Sequence, residues 1–297
     1  LIIDVRGLIA DREESSLLSR GSNPVDDLIA KLQRAERDKS VKGVILRINS
    51  PGGTVAASDV MFREVRGYAE RTGRPVVASL GEIAASGGYY LALSADRIVA
   101  EPASITGSIG VIIPTVNVSE GLNRIGIRSR SITSRSNKDL ANPLEPMREE
   151  HYAVLQALVD EFYDRFRSLV VERRGAAHAG PASGEPAPAR FLDSARIEML
   201  TDGRVMTGVK AAEAGLADQT GGLRDAFEVA KRLAGIHAAK LIKYYREDSD
   251  PPRTAYSRSA AAPAEQSSEI NVFQLRFGAS ALGVPSPGAY YLWVPPG

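Results

Sequence analysis

Two glycine-rich runs and one lysine carry the residue types that could do chemistry in this chain. The run Asn49-Ser50-Pro51-Gly52-Gly53 follows a nearly continuous apolar, β-branched stretch. Its consecutive glycines leave backbone N–H groups uncovered by side chains, suited to hydrogen-bonding an extended peptide or an oxyanion. A plain strand-to-helix turn would look the same. The run Ala84-Ala85-Ser86-Gly87-Gly88-Tyr89-Tyr90 opens a small-residue helix just after a second strand. Ser86, flanked by Ala and Gly, has an uncrowded hydroxyl, the Gly87 N–H could join Gly53 in an oxyanion hole, and a helix N-terminus adds partial positive charge. Close helix packing by small residues is the competing reading of this segment.

A serine nucleophile needs a base. His151 falls on a long charged helix among Glu149, Glu150 and Tyr152, where a solvated surface role is expected. Arginine keeps its proton to above ~12. Of the eight lysines most lie in charged helical stretches, as Lys31, Lys39 and Lys42 do, whereas Lys138 lies in a loop over 134–140. Lysine acts as a base only where burial or neighbouring positive charge favours its neutral form.

Other chemistries fall away by composition. The three histidines, His151, His178 and His237, are far apart and no His-Glu-x-x-His occurs, so no metal site is expected. Zero Cys removes disulfides, thiolate zinc and a cysteine nucleophile together. Neither a phosphate-binding Gly-x-x-x-x-Gly-Lys-Ser/Thr nor a dinucleotide-type Gly-x-Gly-x-x-Gly is present, and no cofactor is expected. With 37 basic and 36 acidic residues, no charge excess draws the chain to nucleic acid. No run approaches the ~18 apolar residues of a membrane helix. The chain starts at Leu1 rather than Met, so it reads as a fragment or processed form, with any signal or anchor upstream.

The elements that must position these residues follow from hydrophobic periodicity. Strand signals at 43–48 and 75–80 flank a helix over 54–72 that Gly73 closes, which makes a βαβ unit and an α/β fold with a parallel sheet. Short strands are expected at 97–100, 109–113 and 128–133, and a helix at 119–124. A long amphipathic helix over 146–174 carries Tyr152, Leu155, Leu158, Val159, Phe162, Phe166 and Leu169 on or near one face. Order beyond it resumes at 197–200, with helices over 207–214 and 223–234 backed by Gly215 and Gly235. The domain is expected to span 1–237, interrupted by a flexible Ala/Pro/Gly-rich insertion at 175–190. A Pro/Ser/Ala-rich tail over 238–297 is expected to be largely disordered, although its Tyr290-Tyr291-Leu292-Trp293 could dock as a strand.

Five motifs occur together in the order seen in the bacterial signal peptide peptidase SppA family, which the chain resembles over roughly residues 1–236. They are Asn49–Gly53, Ala85–Tyr90, Thr106-Gly107-Ser108-Ile109-Gly110, Ser136-Asn137-Lys138-Asp139, and Asp202–Gly208 with Ala212–Asp218. The resemblance implies a Clp protease/crotonase-like fold of repeated ββα units and a Ser-Lys dyad. Ser86 corresponds to the nucleophile, Lys138 to the general base and Ser108 to the serine that orients the lysine. Gly53 and Gly87 fall on the oxyanion positions. The 175–190 insertion and the tail depart from the family pattern. One domain copy rather than a tandem pair implies a homo-oligomeric ring.

The leading expectation is a serine endopeptidase for hydrophobic, extended peptides such as remnant signal peptides, acting on the outer side of the bacterial cytoplasmic membrane. Membrane association would run through a segment absent from this chain. Substrate would lie as a strand beside Ser50, Pro51 and Gly52. The alternatives are a crotonase-like acyl-coenzyme A enzyme, which would not need both Ser86 and Lys138, and a catalytically silent membrane scaffold.

Overall fold

Alternate residues of four parallel strands face opposite sides of one sheet in the computed structural model, which describes residues 1–12, 23–175, 192, 194–245, 254 and 290–292. In chain order the first elements are β1 (Ile2–Ile9), α1 (Pro24–Arg37), β2 (Val44–Thr54), α2 (Val55–Thr72), β3 (Val76–Ala85), α3 (Gly87–Ala92), β4 (Arg97–Ala100) and β5 (Ile105–Gly107). After them come α4 (Ser119–Arg124), a 3-10 turn at Ser136–Asp139, α5 (Glu149–Arg174), α6 (Ser194–Leu200) and β6 (Val205–Thr207). The series closes with α7 (Gly208–Ala214), β7 (Gln219–Thr220), α8 (Leu223–Leu233) and β8 (Tyr290–Leu292).

The sheet runs β1-β2-β3-β4-β7, all parallel. Ile3, Val5, Leu46, Ile48, Ala78 and Leu80 pack into the larger core with α1, α2 and α3. Ile2, Ile45, Val77 and Val99 point the other way, against Leu223, Ala226 and Val229 of α8. Burial on both faces accounts for the nearly unbroken apolar run of β2, and each such aliphatic side chain contributes roughly 1.5–3 kcal/mol. The α/β class and parallel sheet read from the sequence are the ones observed.

Helix ends obey local rules. The Thr54 hydroxyl caps α2 by accepting from Ala57 N, and Gly73 ends it at φ 62. Gly215 closes α7 at φ 90. At the far end of α5, Arg173 donates to Leu93 O and Ala95 O, and Arg174 donates to Gly215 O and the Asp218 carboxylate. These two buried guanidiniums pin the long helix to the sheet.

Several elements differ from the sequence reading. No strand occupies 109–113. The chain turns at Gly107, φ 85, and Ser108, φ 51, so pairing comes earlier, with β5 between β3 and the antiparallel β6. Residues 128–133 join no strand among the described residues, and Ile132 is 98% exposed. The helix α5 begins at Glu149 rather than 146. Phe166 and Val170 enter the core, whereas Tyr152 and Leu158 are exposed because the first half of α5 projects away from the sheet. His151 is buried, contrary to a surface role.

The packed body continues past 237. Ile2 N donates to Ile242 O, Lys243 reaches Asp4 at 2.7 Å, and Tyr244 donates to Asp38 beneath the Arg34 guanidinium. Burial, reinforced by Asp38, pushes the Tyr244 hydroxyl up to about 12. Most of the expected insertion and tail lies outside the described residues. Within the tail, Tyr290–Leu292 forms a strand against β2.

Candidate active site

The two glycine runs interlock. Ser50 is buried, its hydroxyl donating to Gly7 O at 2.6 Å and accepting from Gly52 N at 3.1 Å, which folds the end of β2 around itself. A Cβ at Gly53 would lie 1.8 Å from Ile9 O, so β1 passes where no side chain fits. A Cβ at Gly88 would lie 2.7 Å from Ser50 O. The second run therefore rests directly on the backbone of the first. Gly88→Ala is expected to lower stability by about 1–3 kcal/mol, the usual cost of overpacking a filled interior. A thermal melt of the variant that matches the parent would disprove this contact.

Ser86 ends β3 at φ 53 and ψ −116, the sharp strand-to-helix turn that lifts a side chain out of a sheet. A non-glycine residue in this region is strained. Its Oγ is buried and has no hydrogen-bond partner among the described residues. An unpaired buried hydroxyl costs about 1–3 kcal/mol, so both the backbone and the side chain of Ser86 are held against a local preference. The following helix α3 has only six residues, so Gly87 offers its own N–H rather than a strong helix dipole.

Ser108 is brought alongside Ser86 by strand register. β3 and β5 run parallel with Ala84 opposite Thr106 and Ala85 opposite Gly107, so each serine is the next residue beyond a paired position. The Thr106 hydroxyl donates to Ala84 O at 2.7 Å, and Ser86 N donates to Gly107 O at 2.8 Å. The motif Asp202–Gly208 holds the other edge, since Arg204 O accepts from Ser108 N at 2.6 Å. Beyond Ser108 opens a cavity of about 390 Å³ lined by Ile109, Ile112, Val159, Tyr163 and Asp202.

The tyrosines of the second run are anchors. Tyr89 donates to Leu216 O, and Tyr90 donates to Asp59 while its ring packs edge-on against Phe62 and Phe166. Burial works to raise the Asp59 carboxyl, but hydrogen bonds from Arg165 and Tyr90 outweigh it and hold the group below the ordinary carboxylate value. This anchor is therefore present above the unfolded pKa of Asp59 and is lost as pH falls through the lower folded value.

Lys138 makes no hydrogen bond to these groups among the described residues. It is exposed on the 3-10 turn Ser136–Asp139, and its amine is not hydrogen-bonded to Ser86 within the chain. The turn is braced from α5. His151 Nε2 lies 2.9 Å from Ser136 O and 3.8 Å from Asp139 Oδ1, and Arg148 reaches the same carbonyl and, at 3.1 Å, the same carboxylate. Sequence reasoning missed this brace. The only signal for it is the spacing of Arg148 and His151, one helical turn apart. The surrounding excursion from 111 to 148 exposes Ile112, Ile125, Ile127, Ile132 and Leu144.

One chain thus brings together Ser86, Gly87, Gly53 and Ser108, with Ser50, Pro51 and Gly52 forming the adjoining backbone, and leaves Lys138 exposed and not hydrogen-bonded to Ser86. Such a set can present a hydroxyl to a carbonyl carbon beside backbone donors, and it lacks a proton acceptor of its own. No cluster of metal-ligating side chains occurs among the described residues, and no described helix is long and apolar enough to cross a membrane.

The sequence profile of peptidase family S49 matches residues 68–180. A chain from Enterococcus faecium that carries the name signal peptide peptidase SppA is 34% identical over 242 residues, 82% of this chain and 65% of its own length. The chloroplastic serine protease SPPA of Arabidopsis thaliana is 34% identical over 243 residues, 81% of this chain. The chain spans only 33% of the length of that relative. A Synechocystis chain with a protease name is 32% identical over 246 residues, and 81% of it is covered.

Proposed function

The chain belongs to peptidase family S49, with the Clp protease/crotonase-like fold of that family, and from this premise we propose that it is a serine endopeptidase whose Ser-Lys dyad is completed between subunits. Ser86 attacks the scissile carbonyl, the N–H groups of Gly53 and Gly87 receive the developing oxyanion, and Lys138 of a neighbouring chain takes the serine proton. Ser108 orients that lysine. The lysine then returns the proton to the leaving amine, and water repeats the cycle on the acyl-enzyme.

One observation carries this reading: Ser86 is strained, buried and without a hydrogen-bond partner among the described residues, while the only lysine in a matching motif stands exposed on an apolar excursion of the same chain. Docking that excursion on a second copy would bury its isoleucines and bring the amine to a hydroxyl that lacks an acceptor. A closed ring of such heterologous contacts satisfies every subunit. Hydrophobic, extended peptides are the proposed substrates, bound as a strand beside Ser50, Pro51 and Gly52, with an apolar side chain in the cavity beyond Ser108. Signal-peptide remnants at the outer face of the cytoplasmic membrane fit this chemistry and the name of the Enterococcus relative.

Mixing tests the shared site. Ser86→Ala and Lys138→Ala are each expected to be inactive, and co-refolding them in equal amounts should restore activity. In a random mixture about one quarter of interfaces join an intact Ser86 to an intact Lys138. Turnover near that fraction supports the shared site. No recovery after mass spectrometry has confirmed mixed assemblies rejects it, since a dyad within one chain would leave every site lacking one member.

A further inference from the structure

Lys138 sits between two acceptors that α5 holds. On one side is Ser136 O, which accepts from the Arg148 guanidinium and lies 2.9 Å from His151 Nε2. On the other is the Asp139 carboxylate, 3.1 Å from Arg148. A carbonyl oxygen only accepts, so the bond to Ser136 O requires the proton on Nε2 of His151. The two donors are themselves fixed. Arg148 is the N-cap residue of α5, its carbonyl accepts from His151 N at 2.9 Å and Tyr152 N at 3.2 Å, and its guanidinium also meets Glu150 at 3.4 Å. His151 is 3% exposed. Behind them α5 is fastened at its middle by Arg165 to Asp59 and at its far end by Arg173 and Arg174.

We propose that Arg148 and His151 are positioning residues for the general base: they clamp the turn Ser136–Asp139 on both sides of Lys138 and so set where its amine meets Ser86 of a neighbouring chain. The clamp stands on contacts within one chain. Its catalytic consequence rests on the peptidase reading and its shared site.

A lysine amine is a point charge on a flexible four-carbon stem, and a base must come within about 2.6–3.2 Å of the group whose proton it takes. The turn has little rigidity of its own. Lys138 N donates to Arg135 O and Asn142 N to Asp139 O, each at 3.1 Å, and residues 127–135 before it join no strand among the described residues. Backbone freedom here would add to the freedom of the stem, and a misplacement of about 1 Å costs up to roughly 10²-fold in rate. Arg148 spans both acceptors because its guanidinium presents several N–H groups in one plane. A defect in presenting the base lowers kcat and kcat/KM together and leaves substrate binding as it was.

The test compares Arg148→Ala and His151→Leu with Arg148→Lys and His151→Gln, the last of which keeps an N–H donor on a side chain of similar reach. Hydrogen–deuterium exchange over 136–142 reads the clamp, and turnover of a short apolar peptide reads its consequence. Arg148→Ala should accelerate exchange over 136–142 and lower kcat by about 10- to 100-fold at unchanged KM. His151→Leu should act in the same direction and His151→Gln should recover most of its loss. Arg148→Lys, which lacks the planar fork, should recover only part. Mixing then shows where the defect acts. When Ser86→Ala and Lys138→Ala chains are combined, the first supplies the lysine. Adding Arg148→Ala to that chain should remove most of the recovered turnover, whereas adding it to the Lys138→Ala chain should not, since the turn there carries no base. Equal loss from either side in confirmed mixed assemblies overturns the proposal, as does a change in KM alone or exchange over 136–142 that Arg148→Ala leaves unaltered. Should the unmodified pair fail to recover, the shared site falls, and the kcat and KM of the single variants decide the clamp within one chain. Should no form of the protein cleave peptides, the peptidase reading falls, and the exchange data still decide the clamp.

Discussion

Ser86→Ala is expected to reduce peptide cleavage by a factor on the order of 10⁶, as loss of the nucleophile does in a serine protease where each catalytic group has been removed in turn. The same substitution should leave the fold intact or slightly firmer. Alanine keeps the strain of φ 53, so the backbone is no worse off, and the hydroxyl that leaves is buried without a partner among the described residues. Removing an unpaired buried polar group relieves a desolvation cost rather than a bond. Loss of activity together with a melting temperature at or above the parent's therefore separates a catalytic serine from a packing serine. A purified variant that still cleaves would exclude Ser86 as nucleophile.

Replacing Lys138 should be nearly as damaging, by a factor of roughly 10⁴–10⁶, whether the new residue is Ala or Arg. Arginine preserves the positive charge and most of the reach but does not give up its proton, so a merely electrostatic role would survive the change and a base would not. An active Lys138→Arg enzyme would move the base elsewhere, with the buried His151 next in line because its ring already contacts the turn that carries Lys138.

Where local rules govern, the sequence is a reliable guide. The β-branched run before Asn49, the helical spacing closed by Gly73 and the glycine behind α7 depend on neighbours within a few residues, and they form as their chemistry dictates. Segments whose state depends on distant partners are less legible. Ile109–Ile113 has the composition of a strand, yet β6, almost a hundred residues later, captures Ile105–Gly107 instead. Residues 128–133 alternate like a strand and find no edge to join within the described chain. His151 looks like a surface residue among its helical neighbours and becomes buried only because the Ser136 turn folds back over it. The same limit applies to the site. Glycine runs and motif order single out Ser86, Gly87, Gly53 and Ser108, but Ser108 reaches Ser86 through the β3–β5 register and the first glycine run meets the second through the close approach of Gly88 to Ser50, neither of which a local pattern encodes.

The paired left-handed serines have an evolutionary consequence. Ser86 and Ser108 sit at φ 53 and φ 51, each one step past the Ala85–Gly107 pairing, where glycine would carry no steric penalty. At an ordinary turn, drift toward glycine would be a gain at both positions, about 1–2 kcal/mol for each relieved strain. Selection for thermal robustness alone thus pulls these two sites away from serine, and selection for turnover must hold them there. A lineage that kept this scaffold but no longer cleaved anything should show relaxation first at these two positions, ahead of the interlocked glycines Gly53 and Gly88, which packing would still defend.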